Sequence, residues 1–361
     1  MKFAPIIYLI GMLLCILSLF MLVPAFVDWF YGSENWPAFV GSSISTLFVG
    51  LILFFTNKGS ATEHLELRQA FLLTNSAWIS IALFGSLPFL LSNIEMSFID
   101  AFFESTSGIT TTGATVIENL EAKSNGILIW RALLQWLGGV GIIVMALAVL
   151  PMLSIGGMQL FKTESYETPD KVVPKAASFA AGISIVYITL TVIWALMLWG
   201  AGMPMFDSIA HAMTTLATGG YSTKSESLAA FNSSTIEIII IFGMLVGSLP
   251  FVHYLTLSKN GLKNLIKDDQ VRLFLTLVFF VVLIMSLYLS SNNIPYLEAL
   301  RLASFNVISI ITGTGFGTSD FNNWGGFPTT ILLILMFVGG CAGFQLEQPA
   351  WLYGGGCRYW Q

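Results

Sequence analysis

The sequence predicts an all-α membrane protein: two leading transmembrane helices, then a unit of span, short re-entrant helix and span that occurs three times, the third incomplete. Three observations carry this. The 361 residues are 55% hydrophobic and 10% charged, whereas charged residues make up roughly a quarter of an ordinary globular chain. Apolar runs long enough to cross a bilayer recur along the chain. Three shorter segments between them each carry an acidic residue near the start and end in threonine and glycine. The solvent for most of such a chain is lipid.

A spanning helix needs about 20 apolar residues to cross a hydrocarbon core of about 30 Å. Runs of this kind fall at residues 6–27, 39–56, 70–91, 126–150, 176–199, 235–257, 273–289 and, less completely, 329–343. Trp29, Trp36, Trp130, Trp199 and Trp324 lie at their ends, where interfacial aromatics belong. The first run follows Lys2 but is longer than a signal-peptide core, and Pro24-Ala25-Phe26 is a poor cleavage site. It is expected to stay as a helix.

Charge sets the orientation. Lys2, then Lys58 and Arg68, then Lys162, Lys171 and Lys175, then Lys259, Lys263, Lys267 and Arg272 all fall on one side. The positive-inside bias makes that side, and the N-terminus with it, cytoplasmic. The other side holds Lys123 and Lys224 with Glu118, Glu121, Glu226 and Asp320.

The three remaining segments, 98–115, 205–223 and 296–318, lie on the outer side. Asp100, Asp207 and Glu298 stand near their starts. As a helix, 207–218 is about 18 Å long, roughly half the membrane. That length suits a helix that dips to the midplane and returns as extended chain. The segments end in Thr110-Thr111-Thr112-Gly113-Ala114-Thr115, Ala217-Thr218-Gly219-Gly220-Tyr221-Ser222-Thr223 and Thr312-Gly313-Thr314-Gly315-Phe316-Gly317-Thr318. Glycine admits backbone conformations that turn successive carbonyls toward one axis, and carbonyl oxygens can replace the water shell of a potassium ion. Each short helix would also aim its partially negative C-terminal end at the midplane. One Thr-Gly cluster after a helix is an ordinary cap. Three, at one place in a unit recurring about every 100 residues, point to a cation filter.

These segments, with Phe98-Ile99-Asp100-Ala101-Phe102-Phe103-Glu104-Ser105-Thr106-Ser107-Gly108 ahead of the first and Gly339-Gly340-Cys341-Ala342-Gly343 near the end, resemble the TrkH-type subunits of the Trk/Ktr/HKT potassium transporter superfamily over residues 1 to about 343. The resemblance implies four span–pore helix–span repeats around one pore and potassium uptake across the bacterial inner membrane, as a channel or by symport. It assigns the potassium-binding filter to Thr110, Thr111, Thr112, Gly113, Thr218, Gly219, Gly220, Gly313, Thr314 and Gly315. It places a gate at Gly339, Gly340, Cys341, Ala342 and Gly343. It also implies a homodimer in the lipid bilayer and a cytosolic TrkA-type nucleotide-binding ring as partner. Potassium is the substrate, with no cofactor and no metal besides. The charged loops 162–175 and 259–272 are docking surfaces for that ring or simply solvated faces. The implied organisation is two leading helices over 1–67, repeats over 68–160, 161–258 and 259–343, and a tail over 344–361.

The other polar residues suggest no further chemistry. Asp207 and His211 share a helix face, but two ligands do not make a metal site, so His211 is expected to pack or hydrogen-bond. His64 and His253 have no sequence partner. Arg131 and Arg301 lie near membrane ends, within snorkelling reach of the interface, and Arg301 is expected to anchor the third short helix. Gly138-Gly139 and Gly156-Gly157 suit close helix packing or a turn. Cys15, Cys341 and Cys357 lack metal or redox spacing. No nucleophile–base pair, phosphate loop or nucleic-acid patch is present in the sequence, so an enzyme is not expected. After Gly343 the sequence departs from the family: Phe344-Gln345-Leu346-Glu347-Gln348-Pro349 replaces a Ser/Thr-rich stretch, and a shifted reading frame permits Ser-Thr-Gly there. The expectation is a product truncated before the fourth repeat, unable to transport alone. The alternative function is therefore a non-conducting or structural membrane subunit.

The orientation is testable with an impermeant thiol reagent on intact cells, after Cys15, Cys341 and Cys357 are changed to serine. Lys123→Cys should label, and Lys171→Cys and Lys263→Cys should not. The reverse pattern would invert the topology.

Overall fold

A computed structural model describes residues 3–60, 67–153, 172–251, 253–255, 265 and 267–340. All regular structure among them is helical. The chain forms two compact units, Met1–Gly138 and Gly139–Gln361. Lys162, Lys171, Lys259, Lys263, His64, Gly156-Gly157, the gate residues Cys341, Ala342 and Gly343, and the 344–361 tail lie outside the described residues.

The first unit opens with α1 (Ala4–Phe20) and α2 (Leu22–Phe30), which together make one apolar stretch of 27 residues. Helix α3 (Trp36–Thr56) packs against α1. Their contact is close because Gly11 and Gly50 face each other's backbone, and a side chain on either would strike it. Small residues permit such approach where lipid offers no hydrophobic drive. The Ser43 hydroxyl donates across the seam to the Ser18 carbonyl at 2.7 Å. Helix α4 (Leu67–Gly85) is followed at once by α5 (Leu87–Leu91), with Pro88 in its first turn. Pro88 lacks the N–H that would reach the Phe84 carbonyl, the Phe89 N–H turns to the Ser86 carbonyl at 3.1 Å, and the Gly85 carbonyl accepts from Trp130 Nε1 at 3.0 Å.

Next comes the short helix α6 (Phe98–Ile109), capped by the Ser97 hydroxyl on the Asp100 N–H. Helix α7 (Asn125–Leu153) follows and runs through the boundary between the units. Its start is held from far away. Asp28 on α2 is fully buried and accepts from the Gly126 N–H at 2.6 Å and the Ser124 hydroxyl at 3.1 Å. This carboxylate caps a helix almost a hundred residues later, where the free N–H groups and the dipole favour negative charge.

In the second unit the same order of long helix, short helix and apolar helix occurs twice. The first set is α8 (Val172–Gly200), α9 (Met205–Leu216) and α10 (Ser234–Ser248); the second is α11 (Asp269–Ser291), α12 (Tyr296–Ile311) and α13 (Gly326–Leu335). Pro204 and Pro295 stand at the N-caps of α9 and α12, positions that need no N–H. Helix α11 starts on Asp268, which accepts from the N–H groups of Gln270 and Val271.

Two predicted runs end differently. The 235–257 run is interrupted as helix after Ser248, because Leu249 turns extended ahead of Pro250, and residues 251 and 253–255 are helical again; a residue before proline is pushed out of the helical region. The 329–343 run is helical only to Leu335, and Gly339 sits at φ 69°.

Among the described residues, five helices are long and apolar enough to cross a membrane: Ala4–Phe30, Trp36–Thr56, Arg68–Leu91, Ala180–Gly200 and Asp269–Ser291. Only 28–39% of each apolar stretch is buried within the protein. The exposed remainder carries Phe26, Phe48, Ile79, Ile185 and Phe279. Such surfaces suit lipid, not water.

Asp28→Ala should lower stability by about 1–3 kcal/mol, because it strands buried donors at the start of α7. Asp28→Asn, which keeps an acceptor, should lose less. Thermal unfolding in detergent measures both, and equal losses would count against the cap.

Candidate functional site

Each short helix ends the same way. The C-caps are Thr110, Ala217 and Thr312. The next residue enters the left-handed region: Thr111 at φ 58°, Thr218 at 48° and Gly313 at 73°. Two residues on, the backbone does so again: Gly113 at 81°, Gly220 at 76° and Gly315 at 83°. The residues between, Thr112, Gly219 and Thr314, keep ordinary negative φ. A strand points alternate carbonyls to opposite sides; a reversal of hand at every second residue is a pattern by which successive carbonyls can be turned to one side.

The first left-handed residue belongs to a paired C-cap. Thr111 N–H donates to the Gly108 carbonyl and Thr112 N–H to Ser107, both at 3.0 Å. Thr218 and Gly219 repeat this on Thr215 and Thr214, at 3.0 and 2.9 Å. These are the two bonds of a Schellman motif. The third segment keeps one, Gly313 to Ile310 at 3.0 Å, while Gly315 N–H reaches the Ser309 carbonyl at 3.2 Å. Hydroxyls add a layer. Thr110 and Thr112 share a hydrogen bond at 2.8 Å, and Thr312 and Thr314 share one at 2.7 Å. The helix serines Ser107 and Ser309 donate to the carbonyls of Ala114 and Phe316, at 2.6 and 2.7 Å.

Neighbouring glycines let other backbone come close. A Cβ on Gly138 would strike the Ile109 carbonyl at the end of α6. Gly247 lies near the Leu216 and Thr215 carbonyls at the end of α9, where a Cβ would stand 3.0 and 3.2 Å away, and Gly139 lies against Ala217 and the Tyr187 hydroxyl. The Gly138-Gly139 pair thus serves close packing. Within the second unit, Gly220 meets the Thr314 carbonyl so closely that a Cβ has no room, whereas Gly315 has open space around it. The second and third Thr/Gly segments therefore lie side by side, and Leu228 and Ser227 bond to Gly317 beyond them. Thr110–Gly113 lie in the first unit. Of the expected gate residues, Gly339 and Gly340 are described, and Gly340 lies beside Ser248.

Three side chains reach from the short helices to the chain leaving each segment. Glu104 accepts from the Thr115 hydroxyl at 3.0 Å and the Val116 N–H at 3.0 Å, and pairs with Arg131 Nε at 2.7 Å. His211 Nδ1 lies 2.8 Å from the Asp207 backbone carbonyl, so it carries the proton. In the neutral ring, Nε2 then accepts from the Ser222 hydroxyl, 3.0 Å away. Asn306 donates to the hydroxyls of Thr318 and Ser319, both at 3.3 Å. His211 thus has the hydrogen-bonding role expected of it. Its neighbour Asp207 turns its carboxylate to the Thr223 hydroxyl at 2.6 Å.

Two expectations change. Arg131 does not snorkel: it is 1% exposed and bound to Glu104. His253 has a partner, Asp268, at 3.2 Å. Arg301 does anchor the third short helix, through Ser234 at 2.8 Å and Glu237 at 3.1 Å on α10.

The family model described as "Cation transport protein", TrkH, matches residues 36–344. The chain is 39% identical to the Trk system potassium uptake protein TrkH of Vibrio parahaemolyticus over 352 residues, covering 95% of this chain and 72% of that one. It is 38% identical to TrkH of Escherichia coli K12 over 349 residues, with the same coverage. Against TrkI of Halomonas elongata the identity is 36% over 344 residues, 95% of this chain and 70% of that one. The crystal structure of the potassium transporter TrkH from Vibrio parahaemolyticus superposes with a TM-score of 0.88 at 37% identity, covering 96% of this chain and 72% of that one. The chain belongs to the TrkH family of cation transport proteins.

The two central glycines should respond differently to alanine. Both substitutions force a left-handed alanine, at a cost of about 1–2 kcal/mol. Gly220→Ala must also displace the Thr314 backbone, so it should lower the melting temperature more than Gly315→Ala. Equal losses would contradict the close approach of the two segments.

Proposed function

We propose that this protein takes potassium ions into the cell across the bacterial inner membrane through a filter of backbone carbonyls. The observation that carries the reading is the paired left-handed backbone at the end of all three short helices. Carbonyls turned to one side can strip and replace the hydration shell of a monovalent cation. The helices' C-terminal ends add partial negative charge, and non-helical backbone at membrane depth is tolerable only where it is buried or lines a wet cavity. The buried Thr218 hydroxyl, which has no hydrogen-bond partner in the protein, supplies a further oxygen at the same place. The names of the relatives, potassium uptake proteins of the Trk system, point to the same ion.

On this reading Thr110, Thr111, Thr112, Gly113, Thr218, Gly219, Gly220, Gly313, Thr314 and Gly315 form the filter, and the stretch from Gly339 to Gly343 is the gate below it. The N-terminus is cytoplasmic, two copies pair in the membrane, and a cytosolic nucleotide-binding ring of the TrkA type docks on the charged cytoplasmic loops. Potassium is the substrate, and an ion gradient drives symport or the potassium gradient alone suffices.

Ion-dependent thermal unfolding of the detergent-solubilised protein tests the filter. Potassium and rubidium should raise the melting temperature above equal concentrations of sodium or N-methylglucamine. A ligand at 100 times its dissociation constant contributes roughly 2.7 kcal/mol. Gly113→Ala should abolish the difference. Rubidium uptake by potassium-transport-deficient cells that supply the cytosolic ring should follow the same order. Equal stability in potassium and sodium, with no uptake, would overturn the proposal.

A further inference from the structure

The helix residue six positions before each C-cap is Glu104, His211 or Asn306. Nothing in local sequence pattern links a carboxylate, an imidazole and an amide. Yet all three are at most 1% exposed, and all three bond the chain that leaves the Thr/Gly segment. The first two reach across the same interval, Glu104 to Thr115 and His211 to Ser222, each 11 residues. Asn306 reaches 12 and 13 residues on, to Thr318 and Ser319.

Six residues up a helix is about 9 Å of rise. Each segment is therefore fastened twice, at the helix end by its cap bonds and about 9 Å higher by this side chain, with the carbonyls of interest held between. We propose that Glu104, His211 and Asn306 are positioning residues that set ion selectivity by fixing the upper end of each filter segment. The inference rests on the filter reading. It adds the reason such a filter stays open at one width: preference for potassium over the smaller sodium ion depends on carbonyl dipoles held at the right distance and number.

The three fastenings differ in chemistry. Glu104 is half of a buried ion pair, and Arg131 fixes it from α7. Asn306 is neutral and also donates to the Leu302 carbonyl at 3.0 Å. His211 stands in a relay: the Asp207 carbonyl fixes Nδ1, Nε2 receives the Ser222 hydroxyl, and the Ser222 oxygen accepts from the Lys224 N–H at 3.0 Å. Rings hold the imidazole in place, Phe231 edge-on at 5.3 Å and Phe316 at 5.9 Å. The second segment leans hardest on its fastening. Where Ser107 and Ser309 tie the middle of their segments, the equivalent Thr214 turns its hydroxyl back to the Ala210 and His211 carbonyls.

The test reads the potassium-over-sodium preference of the ion-dependent melting shift, with sodium inhibition of rubidium uptake as the cellular check. His211→Ala and Ser222→Ala should each reduce the preference about tenfold, a coupling of about 1.4 kcal/mol. The double variant should lose no more than either alone. His211→Asn installs the amide that serves the third segment and should restore part of the preference. Thr115→Val removes one hydroxyl from the Glu104 fastening at constant shape and should weaken selectivity without an unpaired charge. Leu14→Ala opens a gap in the buried face of α1 and touches neither a filter segment nor a fastening, so it should lower the melting temperature and leave the preference intact. If His211→Ala does not fold, Ser222→Ala and Thr115→Val decide, since each deletes only a hydroxyl. Should the glycine variants lose selectivity while folded Ser222→Ala and Thr115→Val keep it, this inference fails and the filter stands. No preference in the parent protein would overturn both.

Discussion

Backbone hydrogen bonding in a solvent without water governs what this chain can do. A helix satisfies its own N–H and C=O groups; a chain that leaves the helix at membrane depth must find partners in the protein. The three short helices meet this demand alike. Their last free carbonyls accept from the turning chain, at Gly108 and Ser107, at Thr215 and Thr214, and at Ile310 and Ser309. The left-handed residues make those bonds possible, because only that conformation folds the chain back over the helix end. The geometry that satisfies the helix end is thus also the geometry on which the proposed filter rests.

Strain follows from this arrangement. Thr111 and Thr218 are β-branched residues held left-handed, at a cost of order 1–3 kcal/mol each. Glycine fills the equivalent place, Gly313, in the third segment. The strained turns persist because their surroundings leave no alternative. Gly138 and Gly247 bring flanking helices directly against the ends of α6 and α9, and native-density packing transmits any shift. Glycines in the flanking helices and threonines in the turns are two sides of one requirement, close contact behind the segment and fixed shape within it.

Much of this was legible in the sequence. Run length and polarity marked the long spans and separated them from three half-length helices, since about 20 apolar residues are needed to cross and about 12 are not enough. Thr110–Gly113, Thr218–Gly220 and Gly313–Gly315 stood out because the same cluster recurs at one place in a repeating unit. Other features were not legible, for a physical reason. Periodicity reports which face of an element is apolar, not which distant residue it meets. Asp28 caps a helix 98 residues away, and Arg131 finds Glu104 27 residues back. Arg131 read as an interfacial side chain because its position near a span end is compatible with snorkelling; only the fold shows it 1% exposed beside a carboxylate. The break at Ser248 was hidden by an apolar composition that runs straight through Pro250.

The segments are alike in backbone and unlike in side chains, and this bears on how such a site can be specific. Identical walls would need identical residues. Here the backbone sets the shape, and the side chains need only hold it. A carboxylate paired with Arg131, an imidazole of fixed tautomer and an amide do so with different bonds and different charge. Glu104 carries the largest penalty if its partner is lost, because a buried ion without its counterion is strongly destabilising. Asn306 loses least, because its amide is neutral and its bonds to Thr318 and Ser319 are long. His211 stands between them: neutral, yet oriented at both ring nitrogens. The backbone turns of the three segments thus share their left-handed positions while the side chains that bond the departing chain differ in every one.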